Sequence, residues 1–336
     1  MDTLTHIVLG ACIGEAIAGK ELGRKALVVG AIANSLPDID FVASFWLPVS
    51  RDLLAHRGFT HSIAFMLLVS PLIAMLCSRL FKNENVSFAR WYFFWGLQIS
   101  VHLFIDCFNA YGTGLFEPFS HYRVSFNTLY VADPLYTIWL CIAAVALLIT
   151  GSGKRTRKFW TMFGLGISTL YVLIAVFFKL YIDQAIQKEE VVQHARPGRY
   201  FSTPTPLNSM LWYIVAESDS GFNIGYSSVF DKTEHITFHY APKNRLLLTS
   251  DVYKSDAAIL TQFPDGFYTI SNRHDTLVFN VLRFGEILGW ANPNNGFVFY
   301  YNLQYPDANE LIVQRGRFAG WNKENIDLFL KRIKGI

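Results

Sequence analysis

The sequence predicts a mainly α-helical polytopic membrane bundle of about six apolar helices, followed by a β-rich extramembrane C-terminal domain. Of its 336 residues, 52% are hydrophobic and only 16% are charged, whereas soluble domains have about 25% charged residues. The apolar residues are grouped into long runs, which is typical of transmembrane helices. After residue 206, alternating aromatic-rich runs separated by Gly, Asn, Asp and Pro are typical of strands.

Six apolar segments account for the predicted bundle. They are residues 4–19, 26–36, 62–81, 88–108, 135–150 and 159–182. The first contains Gly10 and Gly14, a spacing that favours close helix packing. The second is too short to span a bilayer and ends at Pro37. We therefore expect the first two segments to form a packed helical hairpin against the longer ones.

The orientation follows from the positions of lysine and arginine, which are enriched in short cytoplasmic loops. They cluster in the connections after the first, third and fifth segments, at Lys20, Arg24, Lys25, Arg79, Lys82, Arg90, Lys154, Arg155, Arg157 and Lys158. Six alternating segments put all three connections on one side, which we predict to be cytoplasmic. The loops 37–61 and 106–134, and everything after residue 183, are then extracytoplasmic.

The predicted domains are a helical domain over residues 1–182, a linker over 183–206 and a β-rich domain over 207–336. The linker prediction rests on the Thr-Pro repeat at 203–206. Predicted strands lie within residues 210–218, 235–242, 245–252, 275–284 and 296–306. A short amphipathic helix over residues 325–333 is predicted to close the chain.

Several classes of function have little support. The net charge of +3 comes without Lys/Arg tracts interleaved with aromatics, so no nucleic-acid partner is expected. The four cysteines all fall in apolar segments, and their spacing matches neither a zinc finger nor a disulfide framework. The G-x-S-x-G, P-loop and H-E-x-x-H motifs are absent, which argues against serine hydrolases, P-loop NTPases and zincin-type proteases.

Histidines and aspartates from distant parts of the chain are predicted to meet at the extracytoplasmic end of the bundle. The candidates are His6, Asp38, Asp40, His56, His61, His102 and Asp106. His102 and Asp106 share one helix face, and the two carboxylates after Pro37 are expected on one extended face. Gly58 permits a turn between the other two histidines, with Thr60 as an N-cap. Such convergence is what a metal site in a helical bundle requires.

Imidazole and carboxylate ligands together suit Zn²⁺, Mn²⁺ or Fe²⁺. Seven candidates exceed the four protein ligands of one tetrahedral zinc, so we expect one or two divalent transition metal ions, with the remaining residues supporting the ligands. Asp40, His61 and Asp106 are the predicted catalytic residues. Arg57 and Arg123 are the predicted substrate-binding residues, because arginine clamps anionic groups such as a lipid phosphate.

With these residues identified, the sequence resembles the YdjM-like family of predicted bacterial inner-membrane metal-dependent hydrolases. The matching pieces are Thr5-His6, PDID at 37–40, HRGFTHS at 56–62, HLFID at 102–106 and GTGLFEPFS ending at Ser120. The resemblance covers roughly residues 1–180 and implies a helical bundle of the bacterial cytoplasmic membrane with a metal site on the seven candidates. The chain departs from the family at CFNAYG, where Thr-Pro is frequent, and residues 183–336 have no counterpart in shorter members.

The expected function is a membrane-bound metal-dependent hydrolase at the outer membrane–water interface. Its expected substrate is a phosphoester or ester of a lipid or lipid-linked molecule. One alternative is a metal-ion transporter, which predicts ligands near mid-membrane. The other is a non-catalytic membrane anchor with a structural metal and a partner-binding β domain, which predicts a closed coordination sphere. The sequence does not determine the oligomeric state.

Overall fold

A computed structural model describes most of the chain and divides it into two compact units. The helical unit comprises residues 1–43 and 55–174, and the C-terminal unit comprises residues 44–54 and 175–336. The described residues are 1–84, 86–151, 154–189, 199–233, 235–249, 254–263, 265–273, 276–292, 295–303, 309 and 319–336.

Helices occupy most of the first 188 residues. They are α1 (Thr3–Leu22), α2 (Lys25–Ser35), α3 (Val49–Ala55), α4 (Ile63–Leu80), α5 (Phe88–Asp106), α6 (Pro134–Ile149) and α7 (Lys154–Lys188). Short 3₁₀ helices lie at Leu36–Phe45, Phe59–His61 and Lys82–Glu84. Each of the six predicted apolar segments falls in a helix.

Within the described residues, three stretches are long and apolar enough to cross a membrane. They are Lys25–Phe45, Ile63–Leu80 and Arg155–Lys188, while α6 is a shorter apolar helix. The predicted count of about six membrane helices is therefore not confirmed. The prediction that the second segment is too short was wrong. The helical path continues through Pro37 as a 3₁₀ helix, where proline at the start of a new helical turn loses no hydrogen bond.

The predicted close packing of the first two helices is confirmed. A Cβ atom on Gly10 would lie 2.3 Å from the carbonyl oxygen of Gly30, and one on Gly14 would lie 2.2 Å from that of Ala26. Real Cβ atoms do not approach backbone so closely, so α1 and α2 can meet only because these positions lack side chains. This contact holds His6 on α1 close to the end of α2.

The C-terminal unit contains two antiparallel sheets. The first has the order β1 (Tyr200–Pro204), β2 (Leu211–Glu217), β3 (Gly221–Ser228) and β4 (Phe238–Pro242). The second has the order β5 (Tyr268–Arg273), β6 (Thr276–Glu286) and β7 (Phe297–Asn302). Two helices, α8 (Lys254–Gln262) and α9 (Lys323–Ile333), complete the unit.

Strand β2 is buried on both faces. Trp212 and Ile214 pack with Ile182 of α7, while Tyr213 and Val215 pack on the other side in the aromatic core. This double burial explains why the strand is apolar at almost every position rather than alternating.

Several elements of this unit differ from the sequence prediction. Arg245–Thr249, predicted within a strand, is a 3₁₀ helix, and residues 250–252 lie outside the described part. The range 183–206, predicted as a linker, contains the end of α7 and all of β1. Strand β3 was missed because of its glycines, yet Gly225 makes room for the ring of Phe238 on the neighbouring strand. The terminal helix is confirmed as α9.

Candidate metal centre

Four of the seven candidate ligands converge in the helical unit. Asp38 lies in the 3₁₀ helix that follows α2, His61 ends the 3₁₀ helix before α4, and His102 and Asp106 lie on the last turns of α5. One ligand atom from each of the four lies within 4.8 Å of the other three. We call Asp38, His61, His102 and Asp106 the Asp/His cluster.

The separations within the Asp/His cluster match those of ligands around one ion. The Nε2 atoms of His61 and His102 are 3.1 Å apart, and they lie 3.4 and 3.6 Å from Asp38 Oδ1. They lie 3.4 and 3.5 Å from Asp106 Oδ2. Four ligands about 2.0–2.1 Å from a tetrahedral zinc stand roughly 3.3–3.4 Å from one another. The four residues therefore fit a zinc-sized cation.

An unsatisfied oxygen supports the same conclusion. Asp106 Oδ2 is buried and, among the described residues, no group donates a hydrogen bond to it. Arg57 Nε lies 3.4 Å away without donating to it, and a buried carboxylate oxygen that accepts no hydrogen bond is costly. Two imidazole nitrogens and two carboxylate oxygens form a donor set that suits Zn²⁺, and also Mn²⁺ or Fe²⁺.

Both cluster histidines are anchored through the nitrogen that points away from the cluster. His61 Nδ1 lies 3.2 Å from Asp40 Oδ2, and His102 Nδ1 lies 2.5 Å from the backbone oxygen of Asn34. Metal-ligating histidines are usually held in this way by a carboxylate or a carbonyl, which fixes the tautomer and the ring orientation. Each imidazole is thus fixed with Nε2 directed towards the cluster.

His6 and Asp40 lie outside the four and contact its members. His6 Nε2 is 3.2 Å from Asp106 Oδ1, and its ring stacks on His102 with 3.7 Å between centroids. Asp40 accepts from the backbone N–H of Arg57 at 2.7 Å as well as contacting His61. The prediction that Asp38 and Asp40 share an extended face was wrong. They lie in a 3₁₀ helix, where residues two apart point about 120° away from each other around the axis.

His56 is the outermost candidate. Its side chain is 42% exposed, and its Nδ1 lies 3.3 Å from Asp40 Oδ1. The turn predicted at Gly58 has its left-handed residue at Arg57 instead, with φ of 59°. The N-cap of α4 is Ser62 rather than Thr60, because Ser62 Oγ accepts from the N–H of Phe65.

The two predicted substrate-binding arginines occupy different positions. Arg57 is buried, its guanidinium donates to Asn109 Oδ1 at 2.8 Å, and its Nε lies 3.4 Å from Asp106 Oδ2. The α-amino group of Met1 also contacts Asp106. Arg123 donates to the backbone oxygen of His56 at 2.9 Å, so it braces the loop before the cluster.

Sequence reasoning missed two amides that organise the site. Asn34 Oδ1 contacts His6 Nδ1 at 3.2 Å, and Asn34 Nδ2 donates to the backbone oxygen of Gln98 at 2.9 Å. Gln98 Nε2 donates in turn to the backbone oxygen of Gly10 at 3.0 Å. The available signal was a polar amide inside each of two apolar segments, because such groups are buried only when they are hydrogen-bonded.

Comparisons with known proteins agree with the motifs. The family model described as YdjM inner membrane protein matches residues 1–182, and no solved structure matches the chain. Inner membrane protein YbcI of Escherichia coli (strain K12) is 31% identical over 113 residues, which cover 33% of this chain and 63% of YbcI. Uncharacterized protein YfhP of Bacillus subtilis (strain 168) is 27% identical over 241 residues, 68% of each chain. Because the family match covers more than half of its residues, the chain belongs to the YdjM inner membrane protein family.

Proposed function

We propose that this protein is a membrane-bound metal-dependent hydrolase that acts at the outer membrane–water interface. Its proposed substrate is a phosphoester or ester of a lipid or lipid-linked molecule. The observation that carries the proposal is the Asp/His cluster, in which two anchored imidazoles and two carboxylates point their ligand atoms at one volume.

The residues of the helical unit divide into distinct proposed roles. Asp38, His61, His102 and Asp106 hold one divalent ion, with zinc favoured and manganese or iron as substitutes. A bound ion of this kind polarises an ester or phosphoryl oxygen and lowers the pKa of water. Asp40 positions His61. The Arg57 guanidinium places a positive charge beside the cluster, where it attracts an anionic headgroup.

Two features favour an enzyme over the alternatives. The Asp38 side chain is 20% exposed whereas the other three side chains of the cluster are 0% exposed, so solvent and substrate can reach the cluster from the Asp38 side. The cluster also lies at helix ends. Asp106 is the last residue of α5, and His61 directly precedes the N-cap of α4. A transport site is expected nearer mid-membrane.

The first experiment measures metal content. The full-length protein is purified in detergent without chelator and analysed by inductively coupled plasma mass spectrometry, beside His61→Ala and Asp106→Asn. We expect about one equivalent of zinc, manganese or iron per wild-type chain, lost in both variants. His121→Ala is the matched control, because His121 is 80% exposed and lies outside the cluster. Wild-type protein without transition metal would contradict the proposal.

A second experiment separates an enzyme from a metal-bearing anchor. Fluorogenic lipid phosphodiesters and carboxyl esters in mixed micelles are assayed with the wild type, with chelator-stripped protein and after zinc is restored. We expect hydrolysis that disappears on stripping and returns with zinc. Retained metal with no hydrolysis of either substrate class would favour the anchor, and zinc flux in proteoliposomes would favour the transporter.

A further inference from the structure

The loop between α5 and α6 exposes several aromatic side chains. Phe119 is 89% exposed and Tyr122 is 63% exposed, while Phe116 and Phe126 are 47% and 44% exposed. Large apolar side chains that are exposed together on one loop are typical of a surface that contacts another molecule. We call residues 115–122 of this loop the aromatic tip.

Backbone hydrogen bonds fix the loop against the segment that carries His61. The N–H of Gly114 donates to the carbonyl oxygen of Arg57 at 2.9 Å, and the N–H of Ile63 donates to that of Leu115 at 3.0 Å. Ile63 is the first residue of α4, which is long and apolar enough to cross a membrane. The aromatic tip therefore begins at the end of a candidate membrane span.

The exposed rings of the loop continue the apolar surface of the helices. Phe104 on α5 is 59% exposed, and its ring packs on Phe108 with 5.1 Å between centroids. Phe108 in turn packs on Phe126 of the loop, with 5.2 Å between centroids. At the start of α4, Ile63 and Leu67 are 43% and 53% exposed. Because apolar helix surfaces of this kind face lipid in a membrane protein, the rings of the loop adjoin a lipid-facing surface.

The aromatic tip is a closed turn with internal backbone hydrogen bonds. Thr113 and Val124 exchange two backbone hydrogen bonds of 3.0 Å at its base. Within the tip, the N–H groups of Phe119 and Ser120 donate to the carbonyl oxygen of Phe116, at 2.9 and 3.0 Å. Since lipid offers no water to satisfy a backbone N–H, internal bonds of this kind favour insertion.

The ionisable side chains of the tip favour the boundary of a bilayer over its centre. Glu117 is 16% exposed and His121 is 80% exposed, and Glu117 Oε1 lies 2.7 Å from His121 Nδ1. Charged groups are costly in hydrocarbon. Interfacial segments instead bury their apolar side chains about 5–10 Å into the boundary and leave polar groups among the lipid headgroups. The tip carries both kinds of side chain.

We propose that the aromatic tip inserts Phe116, Phe119 and Tyr122 into the bilayer, at the boundary between lipid headgroups and acyl chains. The partner of this surface is the lipid bilayer itself, and insertion holds the segment that carries His61 against it. The proposal concerns membrane contact, so it does not depend on metal binding or on the proposed hydrolysis.

The test places a fluorescent label on the full-length protein in phosphatidylcholine nanodiscs that hold one copy each. Phe119→Cys is made in a Cys141→Ser background, because the other three cysteines are buried, and is labelled with nitrobenzoxadiazole. Leu72→Cys is the lipid reference, since Leu72 is 61% exposed on α4. Asn272→Cys, at an exposed position of β5, is the water reference. Quenching is measured with iodide in the buffer and with nitroxide-labelled lipids in the bilayer.

We expect iodide to quench the label at position 119 several-fold less than at position 272. A nitroxide near the headgroup end of an acyl chain should quench it more than one near the methyl end, and Tyr122→Cys should behave in the same way. Iodide quenching as strong as at position 272 would overturn the proposal, because the tip would then lie in water. Quenching by neither agent would also overturn it, because a protein surface would then cover the tip. None of these results bears on metal content.

Discussion

The Asp/His cluster of the helical unit and the Glu217 ion pairs of the C-terminal unit both bury ionisable side chains, but they satisfy them differently. In the C-terminal unit, buried Glu217 meets Arg199 and Lys243, each at 2.8 Å. In the helical unit, two imidazoles and two carboxylates face one another across 3.1–3.6 Å, and Asp106 Oδ2 accepts no hydrogen bond from a described residue.

The two arrangements differ in whether the buried carboxylate oxygens accept hydrogen bonds from their neighbours. A buried carboxylate that accepts hydrogen bonds from its own cations is satisfied within the fold. Asp106 also has cations beside it, the Met1 α-amino group and Arg57, but its Oδ2 accepts no hydrogen bond from a described residue. The ligand atoms of the Asp/His cluster are preorganised by outer contacts and have the donor types and spacing to hold a metal ion at their centre.

The largest effect is expected where an outer contact supports the cluster. Asp40→Asn keeps an acceptor for His61 Nδ1 but removes the negative charge, so His61 becomes a weaker ligand. We expect metal affinity to fall about 10–100-fold, as for other supporting residues of metal sites. Competition with a chromogenic zinc chelator measures it. His56→Gln is the control, because His56 contacts the same Asp40 carboxylate from its exposed side, and it should lower metal affinity far less. If both variants lower the affinity equally, Asp40 acts only through the loop that precedes α4.

The residue types of this site were predictable, but its geometry was not. Charged and imidazole groups in apolar segments stand out because their burial is costly, and the spacing of His102 and Asp106 placed them on one helix face. Which carboxylate reaches the centre depends on the 3₁₀ helix at Leu36–Phe45, which Pro37 obscured. The role of Asn34 depends on contacts with two other helices, and local sequence does not encode such contacts.

The fold of the C-terminal unit shows the same limit. Alternating aromatic runs predicted β2, β6 and β7, because successive side chains of a strand point to opposite faces and apolar residues therefore recur at every second position. Strand β3 was missed, since Gly221 and Gly225 are poor strand formers alone. A Cβ atom on either glycine would lie against the ring of Tyr240 or Phe238 on the adjacent strand, so glycine at these positions makes room for the two rings. Pairing between strands is a tertiary interaction, and here it overrides the low strand propensity of the two glycines.

A smaller effect is expected when the buried ion pair between Glu217 and Lys243 is broken. Glu217→Gln removes the charge that Lys243 faces at 2.8 Å while Lys243 stays 9% exposed. We expect the C-terminal unit to lose about 1–3 kcal/mol, measured by hydrogen exchange of peptides from β2. Adding Lys243→Met should recover part of this loss, because it removes the ammonium that has lost its carboxylate, while the backbone oxygens of Ser218 and Asp219 lose the donor that Lys243 Nζ provides. Metal content should not change in either variant. A change would show that the Glu217–Lys243 pair and the Asp/His cluster are not independent.

The smallest effect is a pH dependence confined to the C-terminal unit. Burial raises the pKa of Glu217, but hydrogen bonds from Lys243 and Arg199 outweigh it and bring the pKa below its usual value. A carboxyl whose folded pKa is depressed stabilises the fold above its unfolded pKa, about 4.3, and this stabilisation is lost as the pH falls through the folded value. Protection of β2 against hydrogen exchange, after correction for the intrinsic rate, should therefore decline below about pH 4.3 in the wild type and decline less in Glu217→Gln.

Arg199 is 39% exposed, so solvent screens its attraction to Glu217. Added salt should therefore reduce the difference in this decline between the wild type and Glu217→Gln. An equal decline in both proteins would show that Glu217 titrates alike in the folded and unfolded chain, and that its pairing is held by packing rather than by charge.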